Sequence, residues 1–380
     1  GFFYSTPFAD AATYLQQQPF QVDYTVFGTP SFVDPYAKSG SPFPYKLDKQ
    51  KPFFIFPALT NWMDESLATP YIQQFSFTVQ HQLQKDLSVQ AAYVGKVSRK
   101  LNLQTDANQP IFGPGATAGN VQARRPIMPG IYGQISHTES AVNASYHSLQ
   151  LSADRRFAKG FSVLGSYTFG KSIDETSDDS FNPVDVVLVD SRNRRYDRAQ
   201  SNVDVRHILS LSYVWDLPAI KRFGPVGKYV LSGWQANGLL RVRSGDTVNV
   251  TAGRDVNLDG RSNDRPNLVG TVELPSDRPR DERMRQFFNT AAFALPVTGT
   301  LGTAGRNLFH GPGSIGWDAS FFKNIPVIEG HQFQFRAEFF NFPNRVNLGN
   351  PTGNFASGNF GRILSAGGAR VTQFGLKYSF

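Results

Sequence analysis

Apolar and polar residues alternate one for one over long stretches of this chain, and that period of two commits it to β-strands with two chemically different faces. In YIQQFSFTVQHQLQ, residues 71–84, Tyr71, Phe75, Phe77, Val79 and Leu83 lie on one face, with Ser76, Thr78, Gln80, Gln82 and Gln84 on the other. Leu87, Val89, Ala91 and Tyr93 resume the pattern after a tight turn at 85–86. SLQLSADRRF and GFSVLGSYTFG form a second hairpin across 158–160, with Leu149, Leu151, Phe161, Val163, Tyr167 and Phe169 on the apolar face. Further strands carry Leu209, Leu211, Tyr213 and Trp215, then Trp234, Ala236, Leu240 and Val242 opposite Gln235, Asn237, Arg241 and Arg243. Two more occupy roughly 314–326 and 330–342, joined by VIEG at 327–330, and ARVTQFGLKYSF ends the chain. With a truncated strand at the start, the count is about ten.

The connections sort into two kinds. Those near 85, 159 and 328 are short, and that at 217–228 is of moderate length. Those at 7–70, 104–142, 173–202, 245–313 and 343–368 are long, polar and rich in Gly, Pro and Asn. Short and long alternate along the chain, so every long loop falls at one end of the sheet. A soluble sandwich has no reason for that asymmetry, whereas a bacterial outer-membrane barrel turns short connections to the periplasm and long ones outward. Strands of about 10 to 15 residues suffice for a tilted crossing. The Gln, Ser, Thr and Arg of the second face would be costly in a dry core and are at home in a wet lumen. The fold class expected is therefore all-β: an antiparallel transmembrane β-barrel with long outer loops, forming a single domain over 1–380. Residues 1–70 hold the truncated strand and a long outer loop, and 71–380 hold the hairpins.

Composition agrees. The 33 Phe and 14 Tyr, with 34 Gly and 24 Pro, supply strand and turn formers, and the absence of Cys excludes a disulfide scaffold. A net charge of +8 is spread along the chain; its densest point, SRNRRYDR at 191–198, is interrupted by Asp and Tyr and makes no continuous nucleic-acid footprint. No apolar run reaches the ~18 residues of a membrane helix. Because the sequence starts GFFYSTPFAD, inside a strand and without Met or signal peptide, it reads as a fragment.

The last residues, QFGLKYSF, place polar Gln373, then Gly375, aromatic Tyr378 and terminal Phe380 at the spacing of the C-terminal insertion signal of outer-membrane barrels, which assembly machinery engages by edge pairing. PYIQQFSFTVQHQL, DLSVQAAYVG, SYHSLQLSADRRFAKGFSVLGSYTFGKSIDE, DVRHILSLSYVWDLP and GWQANGLLRVRSGDTVNVTAG, together with this end, resemble the C-terminal part of Oar-like TonB-dependent receptors, the group with a carboxypeptidase-regulatory-like domain. The resemblance covers most of 70–380, and no single motif carries it. It implies roughly half of an about 22-stranded barrel, with the plug and the TonB-contact segment absent from this sequence. It also implies a monomeric barrel in the outer membrane, in contact with lipid, lipopolysaccharide, the barrel-assembly machinery and, through the missing parts, the TonB system. The function implied is uptake of a scarce ligand; a structural or adhesive barrel without transport is the alternative.

Local candidates are few. In GRDVNLDGRSNDRP, Asp255, Asn257, Asp259 and Asp264 alternate around Gly260 as oxygen ligands for Ca²⁺ would. Pro266 stands where an EF-hand has its bidentate Glu, and the competing reading is a set of Asx-turns without metal. Arg192, Arg194 and Arg195 are candidates to meet lipopolysaccharide phosphates, and DETSDDS at 174–180 reads as an acidic loop tip. The six His are scattered without HExxH spacing, and no Gly-x-Ser-x-Gly elbow occurs, so no catalytic constellation is present. GSYTFGKS, 165–172, spells a phosphate-binding loop, but alternation runs straight through it and an acidic, Pro-ended loop follows instead of a helix.

Overall fold

A computed structural model describes residues 1–4, 18, 33–34, 36–37, 40–41, 48–52, 54–177, 188–220, 224, 230–328 and 331–380. The strands begin with the short β1 (Phe2–Tyr4) and β2 (Ala58–Met63), the long β3 (Tyr71–Gln84), β4 (Leu87–Asp106), β5 (Tyr132–Ala158) and β6 (Phe161–Asp174), and the two-residue β7 (Ala199–Gln200). They continue with β8 (His207–Asp216) and β9 (Trp234–Arg243), then the two-residue β10 (Thr247–Val248), β11 (Asn267–Leu268), β12 (Phe293–Ala294) and β13 (Phe309–His310). β14 (Ser314–Ile328), β15 (His331–Phe340) and β16 (Val371–Ser379) complete the set. The main sheet runs β1-β3-β4-β5-β6-β8-β9-β14-β15-β16, each neighbour antiparallel, so ten strands form its path among the described residues. It is the wall of a barrel, all-β and antiparallel. No helix among the described residues is long and apolar enough to cross a membrane.

Three differences from the alternation reading stand out. β4 and β5 have 20 and 27 residues and climb past the membrane-crossing length into what reads as loop, paired to each other as far as Asp106↔Ser136. Their upper parts mix polar residues with a few apolar ones, Leu103, Ile135 and Val142, which are buried beneath the loops and not turned to lipid, although the ladder continues. β2 lies parallel to the top of β5, a pairing that a hairpin scheme does not anticipate. Leu164 and Leu239 stand on the polar face, both opposite Ser212, and break its uniformity. The remaining parts of 1–70, 174–180, 217–228 and VIEG lie outside the described residues.

Side-chain exposure separates the two faces of the wall. Phe75, Phe77, Val79, Tyr93, Leu149, Leu151, Phe169, Leu209, Trp215, Phe333, Phe374 and Leu376 are large, apolar and exposed on one side. A continuous patch of this size is a lipid-facing band. On the other side one cross-strand row reads Gln80, Gln90, Ser152, Ser166, Ser210, Arg241. The β5–β6 turn holds Lys159 at φ 53° and Gly160 at φ 79°, the successive positive values that let a two-residue turn follow the twist of its strands.

Candidate functional site

The short turns sit at one end of the wall, and at the other the segments 107–131, 188–206, 244–313 and 341–370 fold together into a cap. Its centre is apolar. Val250, Val272, Phe288, Ala292, Phe293 and Ala304 are buried, with Phe309, Phe355 and Phe360 packed around them. Phe288 meets Phe293 and Phe360 edge-on at 5.7 and 5.1 Å, the geometry ring quadrupoles favour. Two small ribbons, β10–β13 and β11–β12, and a short helix α1 (Arg280–Arg285) frame this core.

Buried polar side chains join the loops to one another and to the wall. Gln109 donates to Asp259 Oδ2 (2.6 Å) and the Val189 carbonyl (2.8 Å) and accepts from the Ser191 amide (2.8 Å), so one side chain ties three loops. Arg265, 2% exposed, pairs with Asp197 at 2.5 Å and donates to the carbonyls of Ala304 and Tyr196. Its guanidinium also lies 3.9 Å from the Tyr196 ring centroid. Arg306 pairs with Asp174 at the end of β6 and donates to the Asp197 carbonyl. Arg125 and Arg261 both face Asp106 at the end of β4, at 3.0 and 3.5 Å. None of these partners is near the other in sequence, and no local motif announces them; spread through loops of mixed composition, they become a network only in three dimensions.

The 255–264 loop sits inside this network. Asp255 accepts from the amides of Asp259 and Gly260, Asn257 from that of Asp259, and Asp259 from that of Arg261. Asp264 Oδ2 accepts from Val256 and Asn257. These are Asx-turn bonds closing a tight loop. Asp264 Oδ1 and Asn263 Oδ1 are buried without a partner, and no group of three His, Cys, Asp or Glu among the described residues is placed to hold a metal ion. Burial pushes the Asp264 carboxyl up to about 6 against the pull of its two amide bonds, and it raises Asp259 as well. The same dehydration lowers Arg261.

Other sequence candidates are dispersed. Arg192 donates to the carbonyls of Gln109 and Pro110, and Arg194 faces Glu139, so both turn to protein. Of the acidic tip, Asp174 is held by Arg306 and Glu175 accepts from the Asn143 amide, while 178–180 lie outside the described residues. GSYTFGKS is continuous strand: Gly165 pairs with Ala153 and Leu211, and Lys171 and Ser172 are still within β6. At the C-terminus Gln373 pairs with Glu338, Gly375 with Arg336 and Tyr378 with Phe333, leaving Phe380 just beyond the strand and exposed. Beside the cap, a polar cleft of about 430 Å³ opens between Asp64, Ser66, Lys100, Glu139, Asn143 and Arg194. With both signs of charge and several hydroxyl and amide groups, it suits a small polar ligand.

The sequence matches the outer membrane beta barrel domain family over residues 1–373. Comparison with curated protein sequences gives no match. Solved structures with a similar fold include the outer membrane transporter YddB from Escherichia coli, at 12% identity and TM-score 0.45, covering 84% of this chain and 34% of that one. Others are FpvA from Pseudomonas aeruginosa bound to pyoverdine (12%, 0.41, 84% and 31%) and the ferric-catecholate import receptor Fiu from E. coli K12 (11%, 0.40, 83% and 28%). The chain thus spans about a third of the length of these proteins. By the family match over nearly its whole length, and with its lipid-facing band of aromatic and aliphatic side chains, this chain belongs to the outer membrane beta-barrel domain family and resides in the bacterial outer membrane.

Proposed function

We propose that the chain is barrel wall and outer cap of an Oar-like TonB-dependent receptor, which captures a scarce ligand outside the cell and passes it through the lumen. The observation that supports this most is the cap: a folded body with its own aromatic core, pinned by buried ion pairs above a wall whose second face is polar. A fixed cap holds recognition groups in place before the ligand arrives, which lowers the ordering cost of binding. The polar row from Gln80 to Arg241 gives a passing solute hydrogen-bonding partners in the lumen. In this reading residues 1–380 are one domain, the plug and TonB-contact segment are encoded with it elsewhere, and Gln373, Gly375, Tyr378 and Phe380 present the last strand to the assembly machinery.

The test is accumulation of radiolabelled probes (a ferric siderophore, cobalamin, an oligosaccharide and a peptide) by cells with and without the gene. Uptake of one probe that disappears both on gene deletion and on loss of TonB is the expected result. Binding that persists in cells depleted of proton motive force, with no accumulation of any probe, would instead assign the adhesive function.

A further inference from the structure

Three of the six histidines are held in one way. Tyr93 Oη and His147 Nδ1 are 2.8 Å apart, Tyr167 Oη and His207 Nδ1 2.7 Å, and Tyr378 Oη and His331 Nδ1 2.6 Å. Each tyrosine's cross-strand partner, Leu149, Leu209 or Phe333, lies two residues beyond the histidine, so the pairs are diagonals of one kind. The rings stack with centroids 5.8 to 6.2 Å apart. In the tautomer with the imidazole proton on Nε2, the phenol donates to Nδ1. A histidine held in this manner through Nδ1 keeps its Nε2–H as a donor for another acceptor.

Two of these donors flank a lysine. Lys171 is the direct β6 partner of His147, and His207 pairs with Phe169, two residues below Lys171 on the same face. Direct cross-strand side chains stand about 5 Å apart and diagonal ones about 7–8 Å. All three residues are exposed, at the loop end of the lipid-facing band; His207 ends the row Phe77, Tyr93, Leu149, Phe169, and His147 and Lys171 lie immediately above it. Carboxylates close by in sequence are committed elsewhere: Asp174 to Arg306, Asp204 to the Ser172 amide and Arg206. One cation and two imidazoles thus lie on the adjacent strands β5, β6 and β8 at the loop end of the lipid-facing band, where acyl chains give way to headgroups.

We propose that His147, Lys171 and His207 bind a phosphate group of an outer-leaflet lipid, whose acyl chains cover the aromatic row. A phosphate has several oxygens and accepts from three separated donors at once, and a polar lipid carries it at this depth. The lysine that makes GSYTFGKS look like a nucleotide loop becomes a phosphate ligand by facing lipid. His331, at the opposite end, has no lysine partner in this row: Lys377 pairs with Gln334 on the polar face.

Protein purified from outer membranes in detergent and stripped of lipid is titrated with bisphosphorylated lipid A, with the same lipid A after dephosphorylation, and with inorganic phosphate, bound lipid being counted by native mass spectrometry. Lys171→Gln should weaken the bisphosphorylated lipid about fivefold, with a further loss in the His147→Phe, His207→Phe double variant and none in His331→Phe. Lys171→Arg should retain binding, and unboiled gel mobility certifies that each barrel is folded. Dephosphorylated lipid A should bind the native protein no better than bisphosphorylated lipid A binds Lys171→Gln. The proposal is overturned if folded Lys171→Gln and the double variant bind like the native protein, or if dephosphorylation changes nothing. Displacement of the lipid by millimolar inorganic phosphate would show a soluble-anion site and remove the lipid assignment.

Discussion

Phe77 and Phe288 are one residue type in opposite circumstances. Phe77, 72% exposed, projects from β3 into the lipid band; Phe288, 2% exposed, is enclosed by the rings of Phe293, Phe309 and Phe360. The wall is held by a continuous backbone ladder, and its apolar side chains face a solvent as apolar as themselves. The cap is organised like a small water-soluble domain, with a close-packed aromatic centre and buried charges in pairs. The two regions therefore answer to different forces. Side-chain deletions should damage the cap far more than the wall, and a barrel of this design can vary its cap without losing its wall.

The hardest break in that contrast is Arg265→Ala. It strips the buried Asp197 of its cation and leaves the Ala304 and Tyr196 carbonyls without their donor, a loss of about 5 kcal/mol. Hydrogen exchange should become fast across 188–206 and 244–313 while the heat-modifiable gel mobility of the barrel is kept. Unchanged exchange in the cap would show that this pair does not join the loops. Next comes Phe288→Ala, which opens a cavity at the centre of the cap and costs about 4 kcal/mol. Phe77→Ala removes a ring from the lipid band and should cost about 1 kcal/mol or less. Denaturant titration in lipid vesicles, followed by exchange at each region, measures both, and equal losses would merge wall and cap into one cooperative unit.

The same contrast governs what could be read from residues alone. Alternation located the membrane-crossing parts of the wall, because each side chain there meets either lipid or lumen and its chemistry reports which. The upper ends of β4 and β5 were illegible because polar residues are mixed there with Leu103, Ile135 and Val142, which are buried under loops instead of facing lipid. In the cap, Phe288, Phe293, Phe309, Phe355 and Phe360 follow no period; irregular backbone between Gly and Pro brings them together, so loop composition hid an aromatic core. Gln109 and Asp259 are 150 residues apart, and no spacing rule links them. The 255–264 loop was legible as a compact Asx-rich turn, but its role as part of a buried network depended on partners far along the chain.

A smaller effect is expected from titrating Asp264. Its carboxyl is held at about 6 instead of the ordinary 3.8, so between those values the folded cap keeps a proton that the unfolded chain releases. Cap stability should fall as pH rises through that window, with a limiting slope of about 1.4 kcal/mol per pH unit, and level off above it. Asp264→Asn keeps an oxygen for the Val256 and Asn257 amides and removes the charge. Its cap should lose the Asp264 share of the pH dependence between 4 and 6, leaving only that of Asp259, and be steadier than the native one at neutral pH, as read by exchange in 250–266. A calorimetric signal with Ca²⁺ that Asp255→Ala and Asp259→Ala abolish would establish the calcium loop, and its absence would leave a set of Asx-turns.

The smallest effect should come from Gly165→Ala, within GSYTFGKS. In a nucleotide loop the first glycine lets backbone close on phosphate, and a methyl group there obstructs the ligand. In β6 an added Cβ would meet Leu211 Cδ1 at 3.4 Å and the Ala153 carbonyl at 4.0 Å, ordinary contacts that require no movement. Alanine also leaves the unfolded chain less conformational freedom than glycine, which favours the variant by about 0.5–1 kcal/mol. The substitution should leave barrel folding intact or slightly stabilised, lie against the lipid, and leave binding of bisphosphorylated lipid A at Lys171 unchanged. At Gly302 in the cap the same methyl would fall 2.0 Å from the Arg265 carbonyl oxygen, inside any tolerable contact. Measured side by side by exchange and gel mobility, Gly165→Ala should be silent and Gly302→Ala should loosen the cap. A defect in Gly165→Ala as large as that in Gly302→Ala would mean the wall is packed as tightly as the cap, and the contrast between them would fail.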